Sequence, residues 1–397
     1  MLQMDDDDVP QLLVADTNFD AAGRPLERPK VPITLLTGYL GAGKSTLLEY
    51  ILTAEHGYRI AVCMNDFGDT TDIEAKSLQL SNPSDPNAPS SSLLALPNGC
   101  LCCSVKDMGI AAIEDMVASQ RDKIDWVVVE LTGLADPAPI AKDFWANEEM
   151  GDLVLDSVIC VVDSRNVLKQ LAEEREDGAP NEAQKQVACA DVILLNKADL
   201  VPAAELDNVA AAVADVNSTL RVHRTVRGNV RLAELFDLRA FTSPAVAALP
   251  EPEACCAEDD HAHTHAHAHG MKGPNTVSTI TVHLPTLPTD KFERLNAFLE
   301  SLLWNGTVPT LPGGKAWEGA TPDILRTKGY AVLADGSARV IQGVADLFEV
   351  RTLDPTANAG AGAGAGAGGA EPRPKIVFIG RGVDETLGEW VRAYVGV

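Results

Sequence analysis

The sequence has no apolar run long enough to cross a bilayer, which excludes a transmembrane helix. It is short of positive charge. Its 32 Lys and Arg face 57 Asp and Glu, a net charge of −25. Such a chain repels nucleic-acid backbones and anionic membranes, so neither is expected as a partner; cations or basic surfaces suit it. The first residues lack the basic, apolar pattern of an export signal and run instead through Asp5 to Asp8. Eight cysteines in a chain with that start fit a reducing compartment, where thiols serve cores or metals rather than disulfides. The expected location is the cytoplasm.

Apolar residues, at 46%, are ample for a packed core, and 397 residues suggest two or three domains. Residues 1–30 read as an acidic, mobile tail with one apolar island, Val9 to Val14, as a possible docking peptide. From 31 to 245 strand and helix patterns alternate. Expected strands are Ile33–Thr37, Ile60–Met64, Trp126–Leu131, Val158–Val162, Val192–Leu195 and Leu220–His223, with a helical pattern such as Ile110–Ser119 between them. Continuous apolar strands of this kind belong to parallel sheets covered on both faces, so the fold class is α/β, a doubly wound, mostly parallel sheet. Residues 246–275 form a Cys/His-rich linker. Residues 276–397 read as a smaller α+β domain with two helices on one sheet face, a meander over 323–352 and a flexible Gly/Ala-rich loop at 356–372. Thr289 or Asp290 is the expected cap of its first helix.

The chain is organised around Gly38-Tyr39-Leu40-Gly41-Ala42-Gly43-Lys44-Ser45, set between an apolar strand and a helix that opens with Thr46, itself a candidate nucleotide contact. This is a P-loop in its expected context. Gly38, Gly41, Ala42 and Gly43 aim backbone N–H groups at phosphates, and the helix N-terminus adds partial positive charge. Lys44 can reach the β/γ-phosphates; Ser45 can ligate Mg²⁺. Asn196-Lys197-Ala198-Asp199 ends a later strand. The Asp199 carboxylate there can accept from the N1–H and exocyclic amine of guanine, which adenine does not offer together, so the nucleotide is GTP. Between these motifs, Glu130 closes a strand three residues before Gly133; it can hold the Mg²⁺ shell or the attacking water, while Gly133 can meet the γ-phosphate. Leu134 follows that glycine, so the residue that orients the water is not given by the motif.

Cys100, Cys102 and Cys103 put three thiols within four residues. Thiolates suit Zn²⁺, and three protein ligands leave one position for exchange, as a metal donor requires; Cu(I) suits them too. Asp66, after the second strand, is a fourth ligand, a Mg²⁺ contact or a turn-capping aspartate. His261, His263, His265, His267 and His269 form a tract for weak auxiliary zinc capture, beside Cys255 and Cys256. Cys63, Cys160 and Cys189 stand singly and read as core residues.

The set TGYLGAGKSTLLEYIL (37–52), NGCLCCSVKD (98–107), VELTGLADPAPIA (129–141), ADVILLNKADLVP (190–202) and IGRGVDE (379–385) resembles the CobW-like metallochaperone GTPases of the SIMIBI class of P-loop proteins. Within them it looks most like the eukaryotic zinc-regulated GTPase metalloprotein activators, over about residues 31–397 without the inserts. The resemblance implies GTP hydrolysis, a zinc site at Cys100, Cys102 and Cys103 that communicates with the nucleotide, and delivery of zinc to a client metalloenzyme, methionine aminopeptidase in the eukaryotic branch. Two departures stand out. Asp66 occupies a position that is usually glutamate, and Val9-Pro10-Gln11-Leu12-Leu13-Val14 has no cysteine where the branch carries a CPELVP-like docking peptide. The alternatives are a GTPase that inserts cobalt or nickel, and a zinc buffer built on the His tract.

Overall fold

The computed structural model describes residues 29–54, 57–64, 93–95, 106–241, 276–353 and 373–397. Contacts divide the chain into Met1–Lys30 and Val31–Val397, and the second unit contains two sheets. The first is built from β1 (Val31–Thr37), β2 (Ile60–Met64), β3 (Leu93–Ala95), β4 (Trp126–Glu130), β5 (Leu153–Asp163), β6 (Val192–Asn196) and β7 (Arg221–Arg224). Their order is β3-β2-β4-β1-β5-β6-β7, and every pairing is parallel. The expected doubly wound sheet is therefore present. β3 was not among the expected strands, and β5 starts earlier than its most apolar stretch.

Helices cover both faces because the strands are apolar on both sides. On one face α1 (Lys44–Thr53) lays Leu47, Leu48 and Ile51 against Leu36, Val128 and Val161. On the other, α2 (Lys106–Ser119) and α3 (Pro137–Ala146) bring Ile113, Val117, Ile140 and Phe144 to Ile33, Leu35, Val127 and Val129. α4 (Val167–Ala172), α5 (Glu182–Cys189) and α6 (Ala203–Val216) close a third cluster over β5 and β6. Cys63, Cys160 and Cys189 are buried as core residues, and burial pushes each thiol up to about 12.

The β1–β5 register shifts at Ile33/Thr34, where Asp156 is the extra residue. Its buried carboxylate accepts from Arg239 N at 2.8 Å and Ser157 Oγ at 3.2 Å. Burial nevertheless raises its pKa from 3.8 to about 6. A carboxyl raised on folding contributes stability below about pH 4 and loses it as pH rises through 6. The loss is about 3 kcal/mol for a shift of this size. Urea midpoints from pH 4 to 8 are expected to show this fall in the parent and not in Asp156→Asn; parallel curves would contradict it.

The second sheet is antiparallel, in the order β11-β10-β9-β12-β8: β8 (Val277–His283), β9 (Asp323–Val332), β10 (Ala338–Val344), β11 (Leu347–Leu353) and β12 (Lys375–Arg381). α7 (Thr289–Leu299) and α8 (Glu385–Val395) bury Leu295, Phe298, Leu387 and Val391 against Ile280, Val282 and Phe378. The expected cap of α7 is corrected: Pro288 holds the N-cap position, Thr289 is already helical, and Asp290 lies in the first turn, where its charge complements the helix dipole.

The opposite face of this sheet packs on helices of the first sheet through Val277, Leu325, Val377 and Ile379. A buried ionic centre lies at this contact. Asp191, the residue before β6, accepts through Oδ1 from Arg326 Nη2 and Lys328 Nζ, each at 2.9 Å, and through Oδ2 from Val158 N at 2.9 Å. The Arg326 guanidinium also lies 4.2 Å from the Phe241 ring centroid. Burial works to raise the Asp191 carboxyl, but the two cations outweigh it and hold it below the usual carboxylate range.

Candidate nucleotide site

In an open parallel sheet, ligands bind beyond the carboxyl ends of the strands where the winding reverses. Here that place is the end of β1. Gly43 takes φ 109° as the N-cap of α1, and a Cβ there would lie 2.3 Å from Asn196 Nδ2, so glycine is required on both counts. The turn leaves the α1 N-terminus with no acidic residue in its first turn, a seat for phosphate. Lys44 is buried and its Nζ donates to Gly38 O at 2.7 Å, which holds the ammonium over the P-loop. Ser45 and Thr46 are exposed on the same turn.

The Asn-Lys-x-Asp segment is braced onto the P-loop. Asn196 Nδ2 donates to Ala42 O at 2.9 Å. Lys197, in the left-handed region at φ 58°, donates to Gly41 O at 2.8 Å and to Asp163 Oδ2 at 2.7 Å. Burial tends to raise the Asp163 carboxyl, but Lys197 and Asn166 hold it below its usual range. Asp199 is exposed, available to a base. One contribution escaped sequence reasoning: the turn after β7. Asn196 Oδ1 accepts from Gly228 N at 3.0 Å and Thr225 Oγ1 at 3.2 Å, and Ala198 N donates to Thr225 O at 3.1 Å. A Gly-Asn pair after a strand (Gly228-Asn229) was the only local signal.

Glu130 is buried at the end of β4. Its register partners are Leu36 of β1 and Met64 of β2, and Met64 in turn pairs with Ala95 of β3. One line therefore joins the ends of four strands, and two of them lead into the P-loop and the Glu130–Asp136 loop. Gly133 lies against the P-loop, since a Cβ on it would be 2.6 Å from Leu40 N. Asp136 then caps α3, accepting from Ala138 N at 3.0 Å, with Pro137 in the first turn. A serine hydroxyl and a buried carboxylate are oxygen donors of the kind Mg²⁺ takes, so Ser45 and Glu130 fit that ion; when bound it would neutralise charge on the β/γ-phosphates.

Asp66, Cys100, Cys102, Cys103, His261, His263, His265, His267, His269 and the island Val9 to Val14 lie outside the described residues. Among the described residues no three His, Cys, Asp or Glu side chains are grouped to hold a metal, and no helix is long and apolar enough to cross a membrane.

Comparison with known proteins agrees with this geometry. Residues 32–224 match the CobW/HypB/UreG nucleotide-binding domain, and residues 288–389 match the cobalamin synthesis protein CobW C-terminal domain. Zinc-regulated GTPase metalloprotein activator 1 of Saccharomyces cerevisiae is 34% identical over 348 residues, which is 82% of this chain and 76% of the relative. The chain belongs to the CobW-like GTPases. The zinc chaperone YjiA of Escherichia coli is 36% identical over 279 residues, 69% of this CobW-like chain and 82% of the relative. The crystal structure of Zn(II)-bound YjiA GTPase from E. coli superposes with a TM-score of 0.59 at 25% identity, covering 93% of this chain and 99% of that one. As a CobW-like GTPase the protein hydrolyses GTP.

Proposed function

We propose that this CobW-like GTPase is a zinc metallochaperone. It binds Zn²⁺ at Cys100, Cys102 and Cys103, with Asp66 nearby, and hands it to a client metalloenzyme as the nucleotide turns over. The observation that carries this reading is the line of strand ends Leu36, Glu130, Met64 and Ala95. β2 and β3, the strands that precede Asp66 and the cysteines in the sequence, end in register with Leu36 and Glu130, beside the P-loop strand, which supports a coupling between nucleotide and thiolates. The names of the yeast and bacterial relatives, a zinc-regulated activator and a zinc chaperone, support zinc as the cargo.

In this reading Lys44 and the P-loop amides hold the phosphates, Asp199 selects guanine, Ser45 and Glu130 serve Mg²⁺ and the attacking water, and Gly133 follows the γ-phosphate. The first sheet with its helices (31–245) is the GTPase domain, the second (276–397) a separate domain, and 246–275 a linker whose histidines capture zinc weakly. Methionine aminopeptidase is the client that the family resemblance implies, and the compartment is the cytoplasm. The test is zinc binding by the parent and by a variant with Cys100, Cys102 and Cys103 all changed to serine: loss of the tight site is expected, and its survival would refute the assignment.

A further inference from the structure

Gln186 of α5 is 1% exposed, a polar side chain in a helix whose next residues, Val187 and Ala188, are core residues. Both hydrogens of its Nε2 are used on one loop. They go to Gly133 O at 3.1 Å and Ala135 O at 3.2 Å. Burying a carboxamide is unfavourable unless its hydrogen bonds are made, so the side chain at this position is tied to those two carbonyls. The loop is otherwise held by Leu131 N on Leu36 O, by the α3 cap at Asp136, and by Lys185 to Asp136 at 3.2 Å, a partly exposed pair of little strength. Among the described residues the buried Thr132 hydroxyl of this loop has no hydrogen-bond partner.

We propose that Gln186 is a positioning residue of GTP hydrolysis, which holds the Gly133–Ala135 stretch on the P-loop and thereby sets Glu130 and Gly133 for the γ-phosphate. It touches no substrate itself. The proposal rests on the reading that this loop follows the nucleotide.

The test uses the full chain with Gln186→Met, which keeps length without the donor, and Gln186→Glu, which keeps shape without it. Both are expected to lower kcat for GTP about tenfold, with KM and GDP affinity changed less than about threefold, because GDP has no γ-phosphate for the loop to meet. A kcat within about twofold of the parent in either folded variant overturns the proposal, as does a proportional fall of kcat and GDP affinity together. Should neither variant fold, the Gln186 carboxamide hydrogens are followed by NMR in the parent. They are expected to shift between GDP and a non-hydrolysable GTP analogue, and unchanged shifts overturn the proposal. Amide exchange of residues 131–136 in the parent separates the two ideas. Equal exchange in both nucleotide states removes the underlying loop reading, whereas a loop that responds while the variants hydrolyse normally removes only Gln186.

Discussion

Asp191→Ala is expected to destabilise the protein by about 3–5 kcal/mol, because it leaves two buried cations without their anion. Arg326 is fully buried and Lys328 nearly so, and both donate to the one carboxylate oxygen. Loss of the other oxygen also strips Val158 N of its acceptor. The intact centre is not itself a large source of stability, since its Coulombic gain offsets the desolvation of three charges. Replacing Asp191, Arg326 and Lys328 together by apolar residues of similar volume is therefore expected to be far milder than the single change. Urea unfolding of both variants decides: a single-variant loss below about 1 kcal/mol would mean that water already compensates the cations. The sign with pH is opposite to that of Asp156. Asp191 is depressed on folding, so its contribution is present above the ordinary carboxylate pKa of about 4 and is lost as pH falls through the lower folded value.

Asp199→Asn is expected to weaken GTP binding about a hundredfold and to let xanthine nucleotides compete. An aspartate accepts from both N–H donors on guanine, and each charge-assisted hydrogen bond is worth about 1.5–3 kcal/mol. An asparagine offers one acceptor and one donor. The donor faces the exocyclic amine of guanine unproductively but matches the carbonyl that xanthine carries in its place. The bracing around it leaves the rest of the site intact, because Asn196, Lys197 and Ala198, not Asp199, make the bonds to the P-loop, Asp163 and Thr225. Competition by GDP and xanthosine diphosphate against a fluorescent guanine nucleotide measures both effects. Unchanged preference would place base recognition elsewhere, with the 225–228 turn as the next place to look.

What was legible in the sequence was local. The P-loop is eight consecutive residues, Gly38 to Ser45, and Asn196 to Asp199 are four, so their chemistry shows without the fold. The parallel strands were legible because burial on both faces makes them uninterrupted apolar runs, as in Val192-Ile193-Leu194-Leu195. β3 was not, because three residues, Leu93 to Ala95, carry no periodicity. The long-range polar contacts were equally hidden. Gln186 reaches Gly133, and Asp191 meets Arg326 and Lys328, across stretches of chain that no local pattern spans. A signal did exist for the last of these. Arg326 and Lys328 stand two apart in a strand, on one face, and buried charge of that kind calls for a partner on whatever covers the sheet. The sheet bulge at Asp156 was hidden because Asp156 and Ser157 interrupt the apolar pattern, so the expected strand began only at Val158.

The measurement that bears most directly on the proposed chaperone cycle is zinc affinity as a function of nucleotide. Competition with a chromophoric chelator would be run on the full chain with GDP and with a non-hydrolysable GTP analogue. If the thiol segment and the nucleotide loops share one edge of the sheet and one motion, zinc affinity shifts about tenfold between the two states, a coupling of about 1.4 kcal/mol. By linkage the nucleotide affinities must then shift by the same factor when zinc is bound. Zinc affinity that is the same in both nucleotide states would contradict the account, leaving a GTPase and a metal site that occupy one chain without speaking to each other.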